Sequence, residues 1–207
     1  MRAVPRGHET VRDLRLVRIA ALAALAITGR LVFLGLPNVA LTFFVVFIAG
    51  ILEGWVAGAI VGLVAMTVTN LMLSGLHPVL LANGPAMALI GVLGGLLSPW
   101  LLRPASDRLD TALRTVALFV VGFFGTLLFS VVSDVANYAI VYGLIPEARS
   151  VGTDALSTYV LAGLVFNLVP GLLNSIPFWA ATTPLLHALR AAGLVRGPSP
   201  GPDDPAG

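Results

Sequence analysis

The sequence predicts an all-α integral membrane bundle of six transmembrane helices, and three observations carry that prediction. Hydrophobic residues make up 57% of the 207 positions and charged residues only 11%, with a mean hydropathy of +0.96. Soluble domains carry about 25% charged residues, so this chain cannot cover its apolar surface in water. Apolar runs long enough to cross a bilayer, which needs about 20 residues per helix, follow one another along the chain. The arginines gather in clusters that alternate with those runs, as loops on one side of a membrane do.

Six spans are read in order: Leu16–Leu36, Val39–Leu52, Gly54–Leu73, Ala82–Leu102, Leu113–Tyr142 and Ser157–Leu186. Residues 1–15 form an N-terminal segment, 16–190 the membrane domain, and 191–207 a tail rich in Pro, Gly and Asp that is expected to be disordered. The first apolar run has arginines before it but no small-residue cleavage site after it, so it reads as an uncleaved membrane helix. The second run is short and reads as tilted, broken or partly re-entrant. The fifth is long enough to project beyond the hydrocarbon.

Arg2, Arg6, Arg12, Arg15 and Arg18 precede the first span, Arg103, Arg108 and Arg114 lie between the fourth and fifth, and Arg190 and Arg196 follow the sixth. Six spans put these three segments on one side, which the excess of positive charge makes cytoplasmic. Both termini are therefore expected there. Only Arg149 falls in an opposite-side loop.

Several function classes are excluded or disfavoured. All twelve basic residues are arginine, so no P-loop lysine and no Schiff-base lysine exists. Any ATP-driven step needs another chain. There is no cysteine for a disulfide or thiolate metal site. His8, His77 and His187 are scattered, and no H-E-x-x-H or G-x-S-x-G motif occurs. No enzyme, cofactor or metal site is expected. The pI near 9.7 comes from loop arginines and does not indicate a nucleic-acid surface. The arginine-only, Ala- and Gly-rich composition fits a GC-rich bacterial genome.

Small residues mark where helices approach closely in lipid. Gly54, Gly58 and Gly62 form one row and Gly91 with Gly95 another, and both read as internal packing. Ala20 and Ala24, continued by Thr28, form a third row that suits internal packing or a partner helix equally. Pro170, Pro177 and Pro184 recur every seventh residue and read as a curved helix, with a cavity wall as the alternative.

Polar residues inside the spans are the candidates for binding, because each is costly in lipid unless paired or wet. Arg30 stands about 18 Å beyond Arg18 along the helix, in the outer half, where it can snorkel outward. Asp134 lies about 30 Å beyond Arg114, at the same level. An Arg30–Asp134 ion pair would tie two helices together or frame a ligand, and the residues leave both open. Asp134, Asn137 and Tyr138 share one helix face. Asn38, Asn70, His77 and Asn83 reach the outer level, with Asn167 deeper in the sixth span. Amides and aromatics converging on one mouth suit a polar, planar ligand. Glu53 reads as a solvated interfacial carboxylate between the second and third spans.

Four stretches carry a resemblance. They are RIAALAALAITGR from Arg18 to Arg30 with GLPN from Gly35 to Asn38, AGILEGWVAGAIVG from Ala49 to Gly62, TVTN from Thr67 to Asn70, and GPAMALIGVLGG from Gly84 to Gly95. In that order they resemble the substrate-binding S component of an energy-coupling factor transporter, over roughly residues 15–100. The resemblance implies a six-helix protein of the bacterial cytoplasmic membrane that captures a vitamin or related micronutrient near the outer face. It also implies partners: a membrane coupling subunit and two cytosolic ATPases. In that family an alanine row on the first helix contacts the coupling subunit, and Ala20 and Ala24 match it. The segment Ser74–Asn83 departs from cobalamin- and queuosine-type relatives, which often have a Gly-Pro-Trp-rich stretch there. The substrate is therefore not carried over. A membrane scaffold for cell-wall synthesis and a self-sufficient small carrier are the rival readings.

Overall fold

The computed structural model describes residues 7–76, 80–144 and 152–194. These form seven helices and, among the described residues, no strand: α1 (Gly7–Val32), α2 (Thr42–Glu53), α3 (Trp55–Ser74), α4 (Leu80–Leu101), α5 (Arg108–Leu144), α6 (Gly152–Phe166) and α7 (Leu168–Ala191). By length and composition α3, α4 and α5 can each cross a membrane, and α6 with α7 can form a fourth, bent span. Among the described residues, helix length and composition thus support three crossings, or four with the bent pair as one span, where the sequence predicts six.

The first two predicted spans account for the difference. Helix α1 begins at Gly7, inside the predicted N-terminal segment, so its first turns carry Arg12, Asp13, Arg15 and Arg18. Helix α2 has only 12 residues, about 18 Å of rise against a hydrocarbon core of about 30 Å. It is one unbroken helix. It is apolar all round because other helices surround it: Thr42 through Ile51 are buried without a gap. Phe44 and Phe47 pack on Phe178 of α7, with ring centroids 5.8 and 4.9 Å apart, and Phe43 meets Phe129 of α5 edge-on at 5.2 Å.

Glycines let α2, α3 and α4 close on one another. A Cβ on Gly91 would stand 2.1 Å from the Gly58 carbonyl carbon, and one on Gly94 would stand 2.1 Å from the Phe47 oxygen. Gly50 meets the Gly91 carbonyl, Gly62 meets Met87, and Gly95 meets the Trp55 backbone in the same way. The glycine rows are therefore internal packing, as their spacing predicts, with one exception. A Cβ on Gly54 would meet nothing; Gly54 is the single residue between α2 and α3, with φ of 90°, a turn that a side chain would strain.

Glu53 is not solvated. Its side chain is 4% exposed and pairs with Arg18 at 2.9 Å and Arg15 at 3.6 Å, while Arg15 also donates to the Glu53 carbonyl at 2.7 Å. The C-terminal end of a helix carries partial negative charge and carbonyls short of main-chain donors, so cations from α1 suit the end of α2. Arginines that read as topology signals thus also fasten α1 to the bundle.

The predicted sixth span is two helices meeting at 49° around Asn167. Pro170 has no N–H to give to the Phe166 carbonyl, yet proline fits the first turn of a new helix, which is where it sits in α7. Pro177 and Pro184 lie within α7 without ending it. His77, Arg149 and residues 195–207 of the predicted tail lie outside the described residues.

Candidate functional site

The polar residues of α5 recur at helical spacing: Thr126, Ser130 and Asp134 on one line, Ser133 and Asn137 on the next. Thr126, Ser130 and Ser133 are buried, so this face of a long apolar helix looks into the protein. In a low-dielectric interior each such group needs a partner, and those from outside α5 come from α4, the α6–α7 break and α7.

From α4, Asn83 Oδ1 accepts from the Ser133 hydroxyl, and from Asn137 Nδ2 at 3.5 Å. From the break between α6 and α7, Asn167 Nδ2 donates to Ser130 Oγ at 3.0 Å and to the Gly163 carbonyl at 2.8 Å. Asn167 Oδ1 accepts from Asn38 Nδ2 at 2.9 Å, which brings in the loop after α1. Asn38 itself has φ of 57°, a left-handed conformation that asparagine tolerates. Asn174 of α7 clamps the same loop: its amide donates to the Asn38 carbonyl and accepts from the Ala40 N–H, both at 2.9 Å.

Arg30 completes the ring from α1. It does not snorkel outward. Its Nη2 donates to Asn70 Oδ1 at 2.9 Å, and Nη1 faces Met66 Sδ, a weak acceptor. It forms no ion pair with Asp134: among the described residues Asp134 accepts from Ser130 Oγ at 3.1 Å, and no cation lies within ion-pair distance of it. Asp134 lies flat against α6, where Gly163 makes room; a Cβ there would stand 2.0 Å from Asp134 Oδ2.

These side chains enclose a cavity of about 160 Å³ lined by Arg30, Asn38, Met66, Asn83, Phe129, Ser130, Ser133, Asp134, Asn137 and Asn167. A second cavity of about 130 Å³ adjoins it beneath the loop after α1 and shares Arg30, Asn38, Met66 and Phe129. Beside Asn137 a third and larger space, about 460 Å³, lies between α5 and α6 and is walled by Tyr138, Tyr142 and Tyr159. Tyr138 stacks on Tyr142 with centroids 3.8 Å apart.

Six of the residues predicted as ligand-binding therefore line one chamber: Arg30, Asn38, Asn83, Asp134, Asn137 and Asn167. Tyr138 stands in the neighbouring aromatic space, and Asn70 sits behind Arg30 and does not line the chamber. His77 is outside the described residues. Sequence reasoning missed Ser130, Ser133, Phe129, Asn174 and Gly163. The serines were readable, because each lies one helical turn before Asp134 or Asn137; Asn174 and Gly163 matter only through contacts far apart in the chain. Ala20 and Ala24 are exposed on the outer face of α1, next to Val17 and Leu25, so their row is not internal packing.

Apolar helices long enough to cross a membrane, with a polar chamber between them, define the class as a helical membrane protein. The family model for the ECF transporter substrate-specific component matches residues 14–180, and the chain belongs to that family. Its members are transporter subunits, which act with coupling and ATPase subunits on a small-molecule substrate. Neither curated proteins nor solved structures gave a significant match.

Proposed function

We propose that the protein captures a vitamin or related micronutrient from the outer side of the bacterial cytoplasmic membrane and delivers it inward with a membrane coupling subunit and two ATPases. The convergence of Arg30, Asn38, Asn83, Asp134, Asn137 and Asn167 on one chamber carries this reading. They come from five separate segments, and a scaffold protein would have no use for two unpaired charges held in a cavity. In this reading six segments traverse the membrane region, α1 and α2 included, with both termini cytoplasmic. Bundle burial then makes up for the short apolar length of α2.

The exposed Ala20 and Ala24 form the docking edge for the coupling subunit in the same reading. The helix presents no bulk there, so a partner helix can approach its backbone closely.

Identification of the small molecule that co-purifies with the protein in detergent tests the proposal. Arg30→Ala and Asp134→Ala are expected to lower ligand affinity by about tenfold or more each, since charge-assisted hydrogen bonds contribute about 1.5–3 kcal/mol. Unchanged affinity and uptake in both variants would remove the site assignment. Ala24→Trp is expected to keep ligand binding and to abolish ATP-dependent uptake in vesicles containing all subunits.

A further inference from the structure

The chamber's unsatisfied groups are sorted by sign. Arg30 presents a guanidinium whose described partners are an amide oxygen and a thioether, with no carboxylate. On the α5 wall, Asp134 presents a carboxylate whose described partner is the Ser130 hydroxyl. One helical turn along, Asn137 Oδ1 is buried without a donor. Its Nδ2 donates to Ser133 Oγ at 3.2 Å and to Asn83 Oδ1 at 3.5 Å. The other amides of the wall, Asn38, Asn83 and Asn167, are engaged with one another or with serines.

A cation and an anion thus line one cavity without pairing. An unpaired charge in such an interior is unfavourable. The cheapest complement is a single molecule that meets both. A plain anion would answer Arg30 but bring like charge toward Asp134, a plain cation would do the reverse, and a neutral molecule would compensate neither.

Resting on the chamber as the ligand site, we infer that its substrate class is a small zwitterion, with its acid group toward Arg30 and its amine or protonated ring nitrogen toward Asp134. The cavity of about 160 Å³ holds on the order of ten water-sized groups, which suits a single-ring compound. Phe129, which lines both polar cavities, supplies an apolar wall for the ring.

The test uses the full chain in lipid nanodiscs and four one-ring probes of nearly equal size. These are 4-(aminomethyl)benzoate, the acid 4-methylbenzoate, the amine 4-methylbenzylamine and the neutral 4-methylbenzyl alcohol. Binding is read from the rise in thermal unfolding temperature with probe concentration. The zwitterion is expected to bind about tenfold or more tightly than each of the others. Asp134→Asn should erase its advantage over the acid, and Arg30→Gln its advantage over the amine. A singly charged or neutral probe that binds as tightly as the zwitterion overturns the inference, and so does a zwitterion that does not bind at millimolar concentration.

Ser133→Met, or Asn137→Met if the first variant does not fold, fills the chamber and separates the two levels of the argument. Loss of all binding in the filled variant, together with no preference for the zwitterion in the wild type, removes the substrate class and leaves the site. Binding that survives filling removes the site itself.

Discussion

The two halves of the bundle are held together by opposite means. Between α2, α3 and α4 the seam is made of glycines, with backbone against backbone and no polar side chain needed. Between α5, the α6–α7 break and the loop after α1 the seam is made of asparagine, serine and aspartate, with a cavity left in the middle. In lipid there is no hydrophobic drive between helices, so close packing and internal hydrogen bonds are the two available forms of adhesion. The first gives a rigid body with no room for a guest. The second gives partners that can be exchanged, one by one, for those of a ligand.

The sharpest way to break the contrast is to put a side chain into the glycine seam. Gly91→Leu drives carbon into the Gly58 backbone, which cannot rotate away, and is expected to cost about 3 kcal/mol or more. Gel filtration and thermal unfolding in detergent would show loss of the folded monomer. Folding at wild-type stability would mean that the seam is looser than its contacts imply.

In the polar seam, Asn167→Ala removes the bonds to Asn38, Ser130 and Gly163 but adds no bulk. It is expected to cost about 1–3 kcal/mol, less than the glycine variant, and to weaken ligand binding at the same time. A stability loss with intact binding would separate the clamp from the site. At the opposite end, Glu53→Gln leaves Arg15 and Arg18 without their anion. Both arginines are more than half exposed, so about 1 kcal/mol is expected, shrinking as salt is added to the unfolding assay. The smallest effect belongs to Gly125→Ala. Its Cβ would meet only Ile90 Cδ1 at 3.5 Å, so the helix should gain up to about 1 kcal/mol in a thermal melt.

The same contrast governs how much the sequence discloses. Glycine rows at four-residue spacing are local, so internal packing at Gly58, Gly62 and Gly91 is readable in the sequence, while the meeting of α3 with α4 there is not. The span limits of α3 and α4 follow equally well from their apolar runs, within a few residues. The polar seam is readable only as a list of candidates. Arg30, Asn83, Asp134 and Asn137 were recognisable as costly groups, but Asn70 behind Arg30 looks no different in sequence from Asn83 in the chamber wall. The break at Asn167 was hidden for a physical reason: three prolines share the segment, and only the one at a first turn starts a new helix. Glu53 was misread because Arg15 and Arg18 resemble loop charges until α1 is seen to begin at Gly7.

Helix α1 is tied to the bundle along its inner edge by Arg15 and Arg18 on Glu53, by the Thr42 hydroxyl on the Ala26 carbonyl at 2.6 Å, and by Arg30 on Asn70. It runs unbroken from Gly7 to Val32. The exposed Ala24 and the chamber residue Arg30 therefore ride on one stiff rod, about 9 Å apart along its axis. A neighbour gripping the outer edge would hold a lever whose far end is the guanidinium itself. Force applied at the surface would arrive in the chamber with no joint to absorb it.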